Sequence, residues 1–223
     1  MNHPYSGLLK SLDHLTDNLI QVYVYQELTG NYSAVVILDK DPDSWLTELA
    51  PLAKYVHKHR LNLPLIINKR FLQNSLDSYP LEFINISSSQ SVNLLLKEDL
   101  LSGLNILPSD LRLQMEREFK GKWLLTRQVL LEGKLSPRNL RATLHLSIHS
   151  LIPALKGFFF LARQPYPQSL EDLFEQTALI SKIDINSLNI WLKQSSLELA
   201  DAQRYLLILQ RLMELTESYP IEP

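Results

Sequence analysis

The sequence has 223 residues, of which 45% are hydrophobic and 21% charged, and its net charge of −2 is the difference between 22 basic and 24 acidic residues. This length suits one large domain or two modest ones, and the composition is that of an ordinary folded soluble protein. It excludes a disordered chain, an overall charge that attracts nucleic acid, and, because cysteine is absent, disulfides and thiolate metal sites.

Targeting and membrane segments are not expected from the pattern of apolar residues. The amino-terminal residues lack a basic stretch followed by an apolar core, which a signal peptide requires. The longest apolar run, LIPALKGFFFLA, is interrupted by Lys156 and is too short to span a bilayer. The sequence therefore predicts a soluble cytoplasmic protein with no membrane partner and no strong nucleic-acid signal.

The first 104 residues alternate between helical and strand patterns. Leu8, Leu12, Leu15 and Leu19 have helical spacing, and residues 20–28 then alternate as a strand does. The further elements predicted in this half are a strand over 33–39, a helix over 45–60, a strand over 63–68, a short helix over 69–76, and strands over 80–86 and 91–96. This order predicts an α/β domain over residues 1–104.

Beyond residue 104 only long amphipathic patterns remain. They predict helices over 108–132, 138–163, 170–180, 186–198 and 200–217. Pro153 should kink the second of these helices or split it in two. The second half is predicted to be an all-α up-and-down bundle over residues 105–223, which makes the fold class of the whole chain α+β.

The common phosphate and metal motifs are absent from the sequence. No glycine-rich phosphate loop is present. His145 and His149 have the spacing of two zinc ligands on one helix face, but no third ligand or general base accompanies them. We therefore predict no metal site and no cofactor from motifs alone.

The stretch GNYSAVVILDK, residues 30–40, permits two interpretations. Gly30 supplies turn chemistry, and Ser33 opens a run of β-branched residues that is apolar on both faces. The run is either an ordinary buried strand or an active-site strand that has lost its carboxylates.

The second interpretation comes from a resemblance. The order helix, strand, turn, strand, helix, with Ser33 opening the second strand, resembles the nucleotidyltransferase superfamily, which includes polymerase-beta-like and antibiotic-modifying transferases. The likeness to bacterial two-domain members, in which a helical bundle follows this domain, covers most of residues 20–130 in outline. In that family the second strand begins Ser-Asp-x-Asp, and a third carboxylate on a neighbouring strand completes a divalent-metal site beside the triphosphate.

The resemblance implies a degenerate site in this chain. Ser33 matches the serine, Ala34 and Val36 fall at the aspartate positions, and Glu82 is the candidate for the third carboxylate. The Gly-Ser turn of the family is not reproduced, because residues 25–28 (YQEL) occupy that region and only Gly30 could serve there. Ala34 and Val36 cannot ligate magnesium, so metal-dependent nucleotidyl transfer should be lost. The resemblance then implies binding or regulation, with a nucleotide or a protein as partner; the alternative is an active transferase with a non-standard site, which alone would use magnesium and nucleotide.

A basic group on the predicted helix over 45–60 also has two interpretations. Lys54, Lys58 and Arg60 collect toward the end of that helix, with Lys69 and Arg70 after the next strand. They could face a phosphate or an acidic partner. The alternative is a solvated helix end that the helix dipole stabilises.

A third hypothesis places ribonuclease chemistry in the helical half. Arg138 and His145 resemble, in loose spacing, the Arg and His of helical HEPN-type ribonucleases. Residues seven apart share a helix face, so His145 could act as general acid or base while Arg138 holds the scissile phosphate.

Overall fold

A computed structural model describes residues 3–133 and 135–220. The chain forms two compact units: the first contains Met1–Leu76 and Ile86–Asn105, and the second contains Asp77–Asn85 and Ile106–Pro223. The described residues form a mixed four-stranded sheet in the first unit and a helical second unit. The predicted α+β class is confirmed at this level.

The first unit contains the sheet and short helices. Its elements are a 3-10 helix (Leu9–Asn18), β1 (Leu19–Gln26), β2 (Tyr32–Leu38), α1 (Trp45–Glu48), α2 (Ala50–His59), β3 (Leu65–Asn68), α3 (Lys69–Asn74) and β4 (Gln90–Leu96). The sequence predicted one helix over 45–60, but Leu49 separates α1 from α2. Pro51 then occupies the first turn of α2, where a missing N–H costs nothing.

The sheet has the strand order β3-β2-β1-β4. β1 pairs antiparallel with β2 and with β4, whereas β3 pairs parallel with β2. In the β1–β2 hairpin, Ala34 lies opposite Val24 and Val36 lies opposite Val22. β2 is therefore an interior strand, as its unbroken apolar run suggests.

Residues 80–86 form most of helix α4 (Pro80–Ser87), so the strand predicted there is wrong. A proline at the first helical position suits a helix start, and Leu81 and Ile84, three residues apart, are both buried. The N–H of Leu81 donates to Gln114 Oε1 at 2.8 Å, which satisfies one of the free amides at the helix start.

The second unit is built from long helices. They are α5 (Pro108–Glu132), α6 (Pro137–Leu161), α7 (Leu170–Ser181), α8 (Ser187–Lys193) and α9 (Leu199–Ser218). α5 packs against α6 and α9, and α6 packs against α7 and α8. α6 continues through Pro153, so of the two predicted outcomes, a kink or a split, the split is wrong. Leu151, Ile152, Ala154 and Leu155 are buried around the proline.

Helix α6 is also the one helix of the described residues whose length and composition would suit a membrane span. Its most apolar 18-residue window has a mean hydropathy of 1.3, and 61% of that window is buried inside the protein. This burial is typical of the core helix of a soluble protein.

Candidate functional site

The hairpin turn between β1 and β2 holds the first of the predicted site positions. Gly30 has φ +86°, a conformation that favours glycine, and its N–H donates to Glu27 O at 2.8 Å. The N–H of Glu27 donates to Asn31 O at 2.8 Å and closes the turn. Nothing lies within 4 Å of where a Cβ on Gly30 would stand, so backbone conformation, not crowding, favours glycine here.

A carboxylate that the sequence did not single out lies beside Ser33. Ser33 Oγ donates to Glu27 Oε1 at 2.6 Å, and Thr29 Oγ1 donates to Glu27 Oε2 at 3.2 Å. Glu27 was not predicted from the sequence because this residue lies near the end of the first predicted strand. Its position across a short turn from Ser33 could have indicated the contact between them. Both carboxylate oxygens are occupied by protein hydroxyls, so the contacts stabilise the hairpin.

Two buried tyrosines lie in the field of Glu27. Burial, and after it the charge of Glu27, raises the pKa of Tyr5 to about 12, and the same two causes in the same order raise the pKa of Tyr25 to about 12. The hydroxyl of Tyr5 donates to Asn62 O at 2.9 Å. Both phenols are therefore protonated at neutral pH, and that of Tyr5 donates a hydrogen bond.

Ala34 and Val36 lie in the apolar core of the first unit. They are 2% and 0% exposed and belong to one buried cluster with Leu12, Leu52 and Val56. Residues two apart on a strand point to the same face, and here that face is covered by apolar side chains. A carboxylate at either position would be buried among hydrocarbon groups.

Glu82 lies on helix α4 and not on a strand beside β2, whose neighbours are β1 and β3. Its carboxylate accepts a hydrogen bond from Gln114 Nε2 at 2.7 Å. The role given to Glu82 required a neighbouring strand, so this placement removes the structural basis of that assignment. The amide of Gln114 links Glu82 to the start of α4 through its contact with Leu81.

A polar crevice of 240 Å³ lies where β2 ends. It is lined by His14, Leu15, Asp17, Asn18, Lys40, Asp41, Pro42, Asp43 and Glu48. Asp41 Oδ2 accepts from Asn68 Nδ2 at 2.8 Å, and His14 Nε2 lies 2.7 Å from the Glu48 carbonyl oxygen. Across residues 3–133 and 135–220, no three His, Asp or Glu side chains are grouped so that they could hold a metal ion.

The predicted basic group is only partly assembled. Lys54 and Lys58 lie four apart on α2 and are exposed, while Arg60 ends this helix with φ 54°. Lys69 instead forms an ion pair with Glu98 at 2.6 Å. Cations at the carboxyl end of α2 complement the helix dipole, which accounts for Lys58 and Arg60 without a ligand.

Arg138 and His145 both lie on α6, as predicted, but the ring of His145 forms a hydrogen bond within the protein. Its Nε2 is 2.9 Å from the carbonyl oxygen of Trp191, so this nitrogen carries the proton and donates it to the backbone. Burial, followed by the charge of His145, lowers the pKa of the neighbouring His149. Arg138 is exposed near the Ser136 N-cap of α6.

The second unit also carries an open groove between α7 and α8 that the sequence did not point to. It has a volume of 680 Å³ and is lined by Glu171, Phe174, Glu175, Ala178, Leu179, Lys182, Ile183, Asp184, Asn186, Asn189 and Ile190. We call it the acidic groove. Its residues come from two helices and the turn between them, so no local sequence pattern marks it.

Comparison with known proteins does not assign the chain to a family. No family model matches it, and no match was found among the curated proteins or the solved structures. The candidate sites must therefore be judged by their geometry.

Proposed function

We propose that this chain is a nucleotidyltransferase-like protein that does not transfer nucleotides and that acts in the cytoplasm by binding another protein. The observation that carries the absence of nucleotidyl transfer is the burial of Ala34 and Val36, at 2% and 0% exposure, in an apolar cluster. Metal-dependent transfer needs adjacent carboxylates that face the substrate, because they hold the cations that neutralise charge in the transition state.

The arrangement of the first unit supports the scaffold part of the proposal. A short helix, a strand, a tight turn and a second strand are followed by further helices and a parallel third strand. This is the order of elements on which the resemblance rests. A scaffold of this kind hosts unrelated functions, so the absence of transfer chemistry does not conflict with it.

Exposed apolar side chains in the second unit support protein binding. Leu146 and Leu179 are 75% and 78% exposed. Large apolar side chains gain most from contact with another apolar surface, and a polyanion offers little such surface. The small net charge of −2 likewise gives no general attraction for a phosphate polymer.

The transfer reaction gives a direct test. The purified full chain is incubated with each labelled nucleoside triphosphate and magnesium or manganese, first alone and then with RNA or with cell protein as acceptor. We expect no metal-dependent incorporation of label into any of them. Incorporation that is lost in the double variant Asp41→Asn/Asp43→Asn would overturn the proposal and place activity at the polar crevice.

Thermal unfolding with nucleoside triphosphates separates a nucleotide from a protein as the partner. We expect no rise in the midpoint with or without magnesium, since a ligand stabilises only the state that binds it. If the midpoint rises with a nucleotide and this rise disappears in Lys54→Ala/Lys58→Ala, the partner would be a nucleotide bound on α2 and not a protein.

A further inference from the structure

The acidic groove has an apolar interior. Its lining includes Phe174, which is fully buried, Ile183, which is 9% exposed, and Ala178 of α7. Leu179 on α7 and Ile190 on α8 are 78% and 57% exposed. Two large aliphatic side chains are therefore exposed to solvent beside buried apolar residues.

The charges around this interior are mostly negative. Glu171, Glu175 and Asp184 contribute three carboxylates, and Lys182 contributes one ammonium group. None of the three carboxylates forms an ion pair with any residue in 3–133 or 135–220. Asp184 accepts only from the N–H of Asn186, at 3.2 Å, within the same turn.

The stability of α7 does not by itself account for the positions of all three carboxylates. Glu171 lies in the first turn of α7, where a negative charge complements the helix dipole. Glu175 is one turn further on, so the dipole of α7 does not explain it. Asp184 precedes α8 and accepts from the N–H of its N-cap residue Asn186, so its charge complements the start of that helix. Opposite charges supplied by another molecule would complement all three.

We propose that the acidic groove binds an amphipathic helix of a partner protein whose Lys or Arg residues flank its apolar face. This inference rests on the proposed protein-binding function and names its surface. A groove between two helices takes apolar side chains spaced three or four residues apart on a helix. Basic residues beside them would meet Glu171, Glu175 and Asp184.

The charges also favour this occupant over others. A nucleic acid or an anionic membrane would place negative charge against Glu171, Glu175 and Asp184, which is repulsive. An acidic helix would be repelled for the same reason. The occupant must combine an apolar stripe with positive charge.

The test uses the full chain and a defined probe. The probe is a fluorescent peptide made only of leucine and lysine, about 18 residues long, with leucines at helical spacing so that one face is apolar. A second peptide has the same composition in scrambled order, and a third has glutamate in place of every lysine. Binding is measured by fluorescence anisotropy at low and high salt.

We expect saturable binding of one leucine–lysine helix per chain. The double variant Leu179→Lys/Glu175→Lys should weaken it by about tenfold or more, because it removes apolar contact and reverses charge at the groove. The matched control is Leu131→Lys/Glu132→Lys on α5, which makes the same chemical change at an exposed leucine (78%, as for Leu179) and its neighbouring glutamate. This control should change the affinity less than twofold.

Several results would overturn the inference. They are equal weakening by both double variants, equal binding of the scrambled or glutamate peptide, and no binding of the leucine–lysine helix. Concentration-dependent association of the chain with itself, seen by sedimentation and lost only in Leu179→Lys/Glu175→Lys, would replace the partner helix by a second copy. Circular dichroism verifies that both double variants are folded. None of these results changes the labelling experiment, so failure of the groove is distinguishable from failure of the proposed function.

Discussion

The two units differ in the kind of polar groups that they bury. The first buries the amide of Gln21, whose Nε2 donates to Asn93 Oδ1 at 2.9 Å and whose Oε1 accepts from the N–H of Leu100 at 3.0 Å. In the first unit, Ala34 and Val36 lie in an apolar cluster, and the contacts among Glu27, Ser33 and Thr29 are confined to the hairpin turn. The second unit instead buries a chain of hydroxyl groups. Thr126 Oγ1 and Ser147 Oγ are 2.9 Å apart, and Ser147 Oγ and the Tyr205 hydroxyl are 2.7 Å apart.

This difference teaches that buried polar groups do not by themselves mark chemistry in this chain. Every hydroxyl in this chain of the second unit has a hydrogen-bond partner inside the protein. The chain therefore fixes how the helices pack and leaves no group free to react. In the first unit the positions that would carry chemistry in a transferase are apolar and dry. The exposed carboxylates at the acidic groove form no ion pair with any described residue and are better candidates for function.

The largest loss of stability is expected when a charged group is placed in the apolar cluster of the first unit. Val36→Asp would place a carboxylate at a position that is 0% exposed. Because a buried charge without a partner is very costly, the free energy of unfolding should fall by about 4 kcal/mol or more. Chemical denaturation and hydrogen exchange of the β2 amides measure the loss, and magnesium should not restore it.

The control for Val36→Asp is Leu46→Asp, at a position in the same unit that is 80% exposed. This change should alter the free energy of unfolding by no more than about 0.5 kcal/mol. If Val36→Asp were instead folded and bound magnesium, the strand would face a cleft and the degenerate site would be real.

The sequence predicted the sheet elements well because their signals are local. Turn residues flank β2, and the interior position of this strand follows from its unbroken apolar run. Helix α4 was predicted as a strand because a segment of eight residues can be apolar in either pattern, and the contact that favours the helix comes from Gln114, far along the chain.

The second prediction concerns how closely the helices of the second unit pack. A Cβ on Gly157 of α6 would lie 2.5 Å from Met115 Sδ and 3.2 Å from Leu81 Cδ2. Gly157→Ala should therefore lower the free energy of unfolding by about 1–3 kcal/mol through overpacking. Thermal and chemical denaturation measure the change.

Gly121 of α5 provides the opposite case. Nothing lies within 4 Å of a Cβ at this position, so the helix gains alanine without a clash. Gly121→Ala should raise the free energy of unfolding by about 0.5–1 kcal/mol, because alanine is the better helix former. Two effects of the same sign would show that helix propensity, and not packing, sets the stability here.

The third prediction concerns the buried chain of hydroxyl groups in the second unit. Tyr205→Phe removes the hydroxyl that contacts Ser147 but leaves the contact between Ser147 and Thr126. The expected loss is about 1 kcal/mol, the usual net value of one buried hydrogen bond. A double-mutant cycle with Ser147→Ala should show coupling between the two changes, whereas strict additivity would mean that the contact between the two hydroxyls contributes nothing to stability.

The candidate sites were less predictable than the fold. The sequence located Ser33, Ala34 and Val36 on one strand, but it could not show what covers the face that carries Ala34 and Val36, because that depends on the 3-10 helix and α2. It missed Glu27, whose role arises only when the hairpin closes. The acidic groove joins α7 to α8 and depends on how these helices pack.

The smallest effect is expected at the hairpin turn, where charge and burial act together on two tyrosines. Burial is the larger cause and the charge of Glu27 the smaller one for the raised pKa, about 12, of both Tyr5 and Tyr25. Glu27→Gln should therefore lower both pKa values slightly and leave them above the ordinary value of about 10. Tyrosinate absorbance and ring nuclear magnetic resonance signals, assigned with Tyr5→Phe and Tyr25→Phe, measure the shifts.

The sign of the pH dependence follows from the raised pKa of these tyrosines. Below pH 10 both states keep the phenols protonated, so their contribution to stability is complete; between pH 10 and about pH 12 the unfolded chain ionises first, and stability falls. Glu27→Gln should reduce the steepness of this fall only slightly, and Tyr25→Phe should reduce it more. A return of both pKa values to about 10 in Glu27→Gln would mean that charge, and not burial, controls the turn, and the first unit would then hold an electrostatic site after all.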